Sequence, residues 1–170
     1  TAVGSGALQS NTTAANNTAV GANALVANTT GHSNTAVGKG CLDSNTTGVY
    51  NTGLGLDTGT AVTTGGYNTF LGGVAGASTT TADNNVAVGY AALLSNSTSS
   101  NITALGYQAL KVGTGAGNTA AGAASLEACS TGANNTALGY AAGYQVTTGS
   151  NNLLLGTEAG RTGSPGGPVV

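Results

Sequence analysis

The phrase "TAVG", with close variants, returns along the whole chain at a nearly fixed interval. With the glycine of each phrase as a marker, it falls at 4, 21, 38, 55, 72, 89, 106, 122, 139 and 156. Eight of the nine intervals are 17 residues and one, from Gly106 to Gly122, is 16. A unit this short cannot enclose a core by itself. It must lie on the next unit so that like residues form ladders, which is the logic of a solenoid.

Each column of the repeat can be asked what it demands. The residue before the marker is apolar in every coil (Val3, Val20, Val37, Leu54, Leu71, Val88, Leu105, Ala121, Leu138, Leu155) and is read as the interior column. Four residues after the marker stand Leu8, Leu25, Leu42, Leu93, Leu110 and Leu126, with Gly59, Gly76, Gly143 and Gly160 in the other coils, a second and patchier interior column. Four before the marker is Asn in eight of nine coils, three before is mostly Thr and two before mostly Ala. Thr and Val two apart fit one face of a short strand, leaving Ala and Gly on the other. Eight after the marker is Thr or Ser throughout, in phrases such as "NTTG" that favour turns. The spacing therefore predicts strand, bend, shorter strand and turn in each coil. The short interval, at "VGTGAGNTAAG", falls in the turn, where a deletion disturbs least.

The fold class expected is all-β: a parallel β-solenoid, or β-roll, of ten coils over residues 1–160, followed by a Gly/Pro-rich cap or exit segment at 161–170. Ten coils spaced by about 4.8 Å give a rod on the order of 48 Å long. Composition agrees with a thin object. The chain has 30 Gly, one Phe, no Trp and no Met among 170 residues, so the large side chains of a globular enzyme core are missing. Such a composition also suits disorder, but disorder does not require Val and Leu at fixed intervals.

Five acidic and three basic residues leave a formal charge of −2, which supplies neither a basic patch for nucleic acid nor a polybasic face for membranes. No apolar run approaches the roughly 20 residues of a membrane span. A start inside a repeat, without Met, reads as a processed product or a piece of a longer chain. Two aliphatic side chains per coil fall well short of the entropy of ordering 17 backbone units, so a lone rod is expected to be marginal. Cys41 and Cys129 lie five coils apart, roughly 24 Å along the axis, and are expected to be unpaired. Stability is expected instead from association with copies of the same chain, as a homotrimer or a filament, through the smooth Ala and Gly face.

The phrases "NTAVGANAL", "NITALGYQAL" and "NTALGYAAG" resemble the Asn-Thr-Ala-Val-Gly repeats of bacteriophage tail-fibre proteins and, more distantly, the β-roll heads of trimeric autotransporter adhesins. The resemblance covers residues 1–160 and implies a trimeric, extracellular or virion-borne fibre shaft used for attachment. The adhesin heads use a shorter repeat, and neither a membrane anchor nor a self-cleaving chaperone domain is seen in this sequence.

No residue set converges on catalysis, a cofactor or a metal. His32 beside Ser33 sits in a turn slot with no recurring acid near it. Asp43, Asp57 and Asp83 occupy different columns and form no ladder for calcium. "GTGAGN" at 113–118 lacks the helix and Lys of a phosphate loop. Asn-x-Thr triplets at 11, 28 and 45 match glycan acceptors, but the repeat already needs Asn and Thr for its turns. Tyr90, Tyr107 and Tyr140 each follow a marker Gly and are candidate surface or interface contacts, for a neighbouring rod or a surface glycan. The expected function is a non-enzymatic rigid fibre or fibre shaft supporting surface attachment. The alternatives are a subunit of an end-to-end filament, against which Pro165 and Pro168 argue, and an ice-binding solenoid, for which "TAV" offers one Thr column where two are wanted.

Overall fold

A computed structural model describes residues 1–161 and shows a parallel β-solenoid. Ten short strands, β1 (Ala2–Val3), β2 (Thr18–Val20), β3 (Thr35–Val37), β4 (Thr52–Leu54), β5 (Thr69–Leu71), β6 (Val86–Val88), β7 (Thr103–Leu105), β8 (Thr119–Ala121), β9 (Thr136–Leu138) and β10 (Leu153–Leu155), pair in chain order in one sheet. Every neighbouring pair is parallel and in the register of the repeat, Thr35 opposite Thr52 and Val37 opposite Leu54 for example. The short coil keeps this register: Thr103 still faces Thr119, because the missing residue comes out of the turn at 113–117. Pro165 and Pro168, with nearly all of the expected cap, lie outside the described residues. Among the described residues no helix is long and apolar enough to cross a membrane.

The faces of the strand are the reverse of the sequence expectation. Ala19, Ala36, Ala87, Ala104, Ala120 and Ala137, two before their markers, are fully buried. The Val and Leu one residue on are half-buried or exposed, reaching 57% at Val3 and 56% at Leu138. The aliphatic column expected inside is therefore outside, beside the Thr column, and the Ala face lines the interior. The patchy column four after the marker is interior as expected: Leu25, Leu42, Leu93, Leu110 and Leu126 are fully buried. A third inner column, three after the marker, is mostly Ala, as at Ala24, Ala75, Ala92, Ala109 and Ala142.

Space explains the choice. In a lumen this narrow, one Leu per coil fills the volume and the facing strand can offer only a methyl. Where the strand carries a large residue, the opposite column shrinks. Phe70 packs between Gly59 and Gly76, and a Cβ at Gly76 would lie 2.8 Å from the ring. Leu154 likewise packs against Gly143, where a Cβ would meet its Cδ1 at 3.2 Å, and against Gly160. Gly53 is the converse case: the space its missing side chain leaves is occupied by Cys41 and Leu42.

The expected second strand is a run of turns. Residues two and four after the marker, and five before it, take left-handed backbone with φ between 48° and 63° where they are not glycine. Leu25, at φ 52°, is one of them. Alternate N–H groups then close turns or reach adjacent coils. Ala24 N–H bonds Gly21 O at 3.3 Å, while Asn23 N–H bonds Ser5 O in the preceding coil at 2.8 Å and Leu25 N–H bonds Cys41 O in the following one at 3.1 Å. These inter-coil bonds offset a left-handed cost of about 1–2 kcal/mol per residue. The marker glycine permits the sharp exit from the strand. At Gly139, φ is 131° and a Cβ would lie 2.6 Å from Gly156 O.

The corners are held by asparagine. Asn34, Asn51, Asn68 and Asn85 are fully buried, and each accepts the N–H of the residue one coil on: Asn51 N–H to Asn34 Oδ1 at 2.9 Å, Ile102 N–H to Asn85 Oδ1 at 3.0 Å. Each also donates Nδ2 to a turn carbonyl, as Asn34 does to Gly48 O and Asn51 to Gly65 O, both at 2.8 Å. Ile102 cannot make that second bond, and Asn118 Nδ2 takes Gly115 O instead at 2.8 Å. A shorter ladder runs seven after the marker, from Asn45 Nδ2 to Asn28 Oδ1 at 2.8 Å and from Asn28 Nδ2 to Asn11 Oδ1 at 2.9 Å. It stops at Val62. Asn45 Oδ1 and Thr79 Oγ1, on either side of that valine in the column, are buried without partners. Eight after the marker, Thr and Ser hydroxyls donate to the carbonyl one coil on, as in Thr46 to Thr63 at 3.1 Å.

Two expectations follow for chemical denaturation. Val62→Asn restores the missing rung and should stabilise the fold by about 1 kcal/mol; a destabilised variant would contradict the ladder. Phe70→Ala leaves a void facing two glycines and should cost about 3–5 kcal/mol. The thiols provide a third. Cys41 and Cys129 are buried and free, as expected, and burial pushes the Cys41 thiol up to about 12. At pH 8 neither should react with a chromogenic disulfide reagent until denaturant is added. Rapid labelling of Cys41 in the folded chain would contradict its placement.

Candidate functional site

Two outer surfaces carry distinctive side chains. The first is the sheet face, where the strands place an aliphatic residue outward on each coil, with Thr beside it except where Val86 and Leu153 take its place. Val3, Leu54, Leu105, Leu138 and Leu155 are all exposed on it, and Leu153 extends it on the last strand. The columns are straight because the parallel register holds like residues opposite one another.

The second surface begins one residue past the marker, where the strand has just turned away. Tyr90, Tyr107 and Tyr140 stand there, 55–60% exposed. Tyr90 and Tyr107, on successive coils, stack with ring centroids 5.8 Å apart and planes inclined by 16°. Tyr140 is not stacked on them. The intervening coil has Ala123 in that slot, so the row is interrupted for one rung. A cleft of about 380 Å³ occupies the interruption, with Tyr107, Tyr140 and Tyr144 among its walls and Ala123 and Ala124 lining it between them. Glu127 and Arg161 border it. Glu127 faces Lys111 at 3.8 Å, and Arg161 pairs with Glu158.

A second aromatic row escaped the sequence reading. Tyr50 and Tyr67, five residues before their markers, stack at 5.1 Å and 16°, and His32 meets Tyr50 edge-on at 5.4 Å. Their 17-residue separation was the available signal. It was masked because Asn fills that slot in several other coils. His32 is exposed, with Nδ1 3.3 Å from Ser33 Oγ, and its ring is part of this row.

The remaining candidates are accounted for locally. Asp83 accepts the Gly66 N–H of the preceding coil at 2.7 Å, and Asp43 accepts from its neighbour Ser44 Oγ at 3.2 Å, so each holds backbone or turn structure. Among the described residues no three His, Cys, Asp or Glu side chains gather as a metal site. "GTGAGN" is the shortened turn. Asn28 and Asn45, candidate glycan acceptors, are fully buried, so the folded chain does not present their amides. Comparison with known proteins finds no matching family model, no matching curated protein and no matching solved structure.

Proposed function

We propose that the chain is a non-enzymatic structural protein, a length of rigid shaft that assembles with copies of itself and serves surface attachment outside the cell or on a virion. One observation carries the reading: a ten-stranded parallel sheet turns a continuous aliphatic column, with Thr beside it on most coils, toward its outer face, where Val3, Leu54, Leu105, Leu138 and Leu155 are exposed. Parallel sheets are almost always covered on both faces. An exposed aliphatic ladder of this length marks a contact surface.

A copy of the same chain is the fitting cover, since straight columns with a common rung spacing match themselves at every coil. Three parallel rods would bring three such faces to one axis and bury the aliphatic column there. This moves the contact from the Ala and Gly face, which lines the lumen, to the face carrying Leu54 and Leu138. The resemblance of the repeats to phage tail-fibre sequences supports the same reading. So does the rigidity that coil-to-coil hydrogen bonding gives the rod.

Two other readings have a feature in their favour. Among the described residues β1 and β10 each pair on one side only, and open edges of this kind suit end-to-end stacking into a filament. The outward Thr column, beside its aliphatic neighbour, suits an ice-binding face. Micrometre fibres in electron micrographs would select the filament, and thermal hysteresis at millimolar protein would select ice binding.

The test of the leading reading is the native mass. The chain should run as a small closed oligomer, and Leu54→Asp with Leu138→Asp should reduce it to single chains. Tyr67→Ala, on the other surface, should leave the mass unchanged. A wild-type chain that is folded and solitary would overturn the proposal.

A further inference from the structure

We infer that the gap in the tyrosine row, between Tyr107 and Tyr140 over Ala123, is a two-sided slot for a single pyranose ring of gluco configuration in a β-linked saccharide. The inference rests on the attachment part of the function proposed above and not on its oligomeric part.

The coil spacing sets the geometry. Tyr107, Ala123 and Tyr140 occupy one column on three successive coils in register, so the backbones that carry the two rings stand two rungs apart, about 9.6 Å. One rung is enough to hold two tyrosines in contact, as Tyr90 and Tyr107 are at 5.8 Å. The missing ring therefore leaves room for one ring of ligand, and the cleft of about 380 Å³ takes in this space and runs on past Tyr140 to Glu158 and Arg161 on the next coil. Both walls are anchored to coils whose separation is fixed by backbone hydrogen bonds, so the backbones on either side of the slot do not draw together. Gly122 N–H to Leu105 O and Gly139 N–H to Ala121 O, each at 2.8 Å, are two of those bonds.

Thickness and polarity then choose the guest. A flat aromatic ring, one atom thick, would touch one wall and leave the other. A pyranose chair carries axial C–H bonds on both faces and fills the space, laying apolar hydrogens against the negative face of each tyrosine ring. Its equatorial hydroxyls spread in the plane of the ring, toward the cleft border where Glu127 stands on the same coil as Ala123. Hydroxyl recognition by a carboxylate is strong and directional. A two-sided slot further requires that neither face bear an axial hydroxyl. β-Gluco sugars meet that condition. Galacto sugars, with an axial 4-hydroxyl, do not.

Saturation-transfer NMR on the intact chain tests this with cellotriose, β-1,4-galactotriose and phenol as probes. Irradiating the protein methyl protons, away from the resonances of all three probes, should transfer saturation to cellotriose C–H protons on both pyranose faces, with little to galactotriose or phenol. Ala123→Tyr completes the row with a residue that adjacent coils already accommodate, and it should abolish the transfer while leaving the native mass and circular dichroism unchanged. Tyr140→Ala removes one wall and should weaken cellotriose binding at least about tenfold. Tyr67→Ala should have no effect. Binding that survives Ala123→Tyr, equal binding of galactotriose, preferential binding of phenol, or no transfer from cellotriose at millimolar concentration would each overturn the inference. The native mass keeps the two proposals apart. An oligomer that ignores cellotriose loses the slot and keeps the shaft, and a solitary chain that binds it does the reverse.

Discussion

The side-chain amide of asparagine, repeated at the corner before the strand in eight of nine coils, is the interaction on which this architecture depends. A strand of three residues makes too few ladder bonds to hold two coils in register by itself. The buried column of Asn34, Asn51, Asn68 and Asn85 adds an acceptor for the backbone N–H of the next coil and a donor for a turn carbonyl. The backbone N–H of the next coil would otherwise be buried without a partner, at about 1–3 kcal/mol. Asparagine suits the post because it carries a donor and an acceptor on one short, uncharged side chain. Acidic or basic groups in the same place would charge the lumen. The near absence of ionisable residues follows from this, as does the tolerance of so many left-handed residues, each tied to another coil.

Once the register is set, the lumen is narrow and its filling is a matter of volume. The leucine column and the methyls opposite it share one space, and a gain on one side needs a loss on the other, as around Phe70, Gly59 and Gly76. Aliphatic residues too large for the strand's inner face go to its outer face, where they form a continuous apolar column. The same rung spacing that packs the inside lines up the outside. A parallel sheet with one bare apolar face and a tyrosine row with one missing ring are both products of that spacing.

The period, the parallel stacking, the turn deletion and the leucine column were legible in the amino-acid sequence, because each depends only on recurrence. The parity of the strand was not. Val is more apolar than Ala, so hydrophobicity alone sends Val20 and Leu54 inward, and the deciding quantity was volume. The signal was present: Phe70 and Leu154, large residues in the Ala column, sit in coils whose Leu column reads Gly76 and Gly160, and Gly59 and Gly143 precede them. Compensating sizes of this kind mean contact, which places the Ala column inside. The second strand failed for a different reason, since left-handed Leu25 and Leu42 have no sequence signature. At the surface, Tyr90, Tyr107 and Tyr140 were legible as a row, whereas the importance of Ala123 emerges only when the row is seen to bound a cleft.

The central claim is that buried asparagines lock coil to coil, and backbone hydrogen exchange at those positions tests it most directly. If the claim is right, the amide hydrogens of Asn34, Asn51, Asn68, Asn85 and Ile102 exchange as slowly as those of the strands that follow them, although none lies in a strand. Exchange at these five as fast as at the exposed turn residues Thr13 and Thr64 would contradict it.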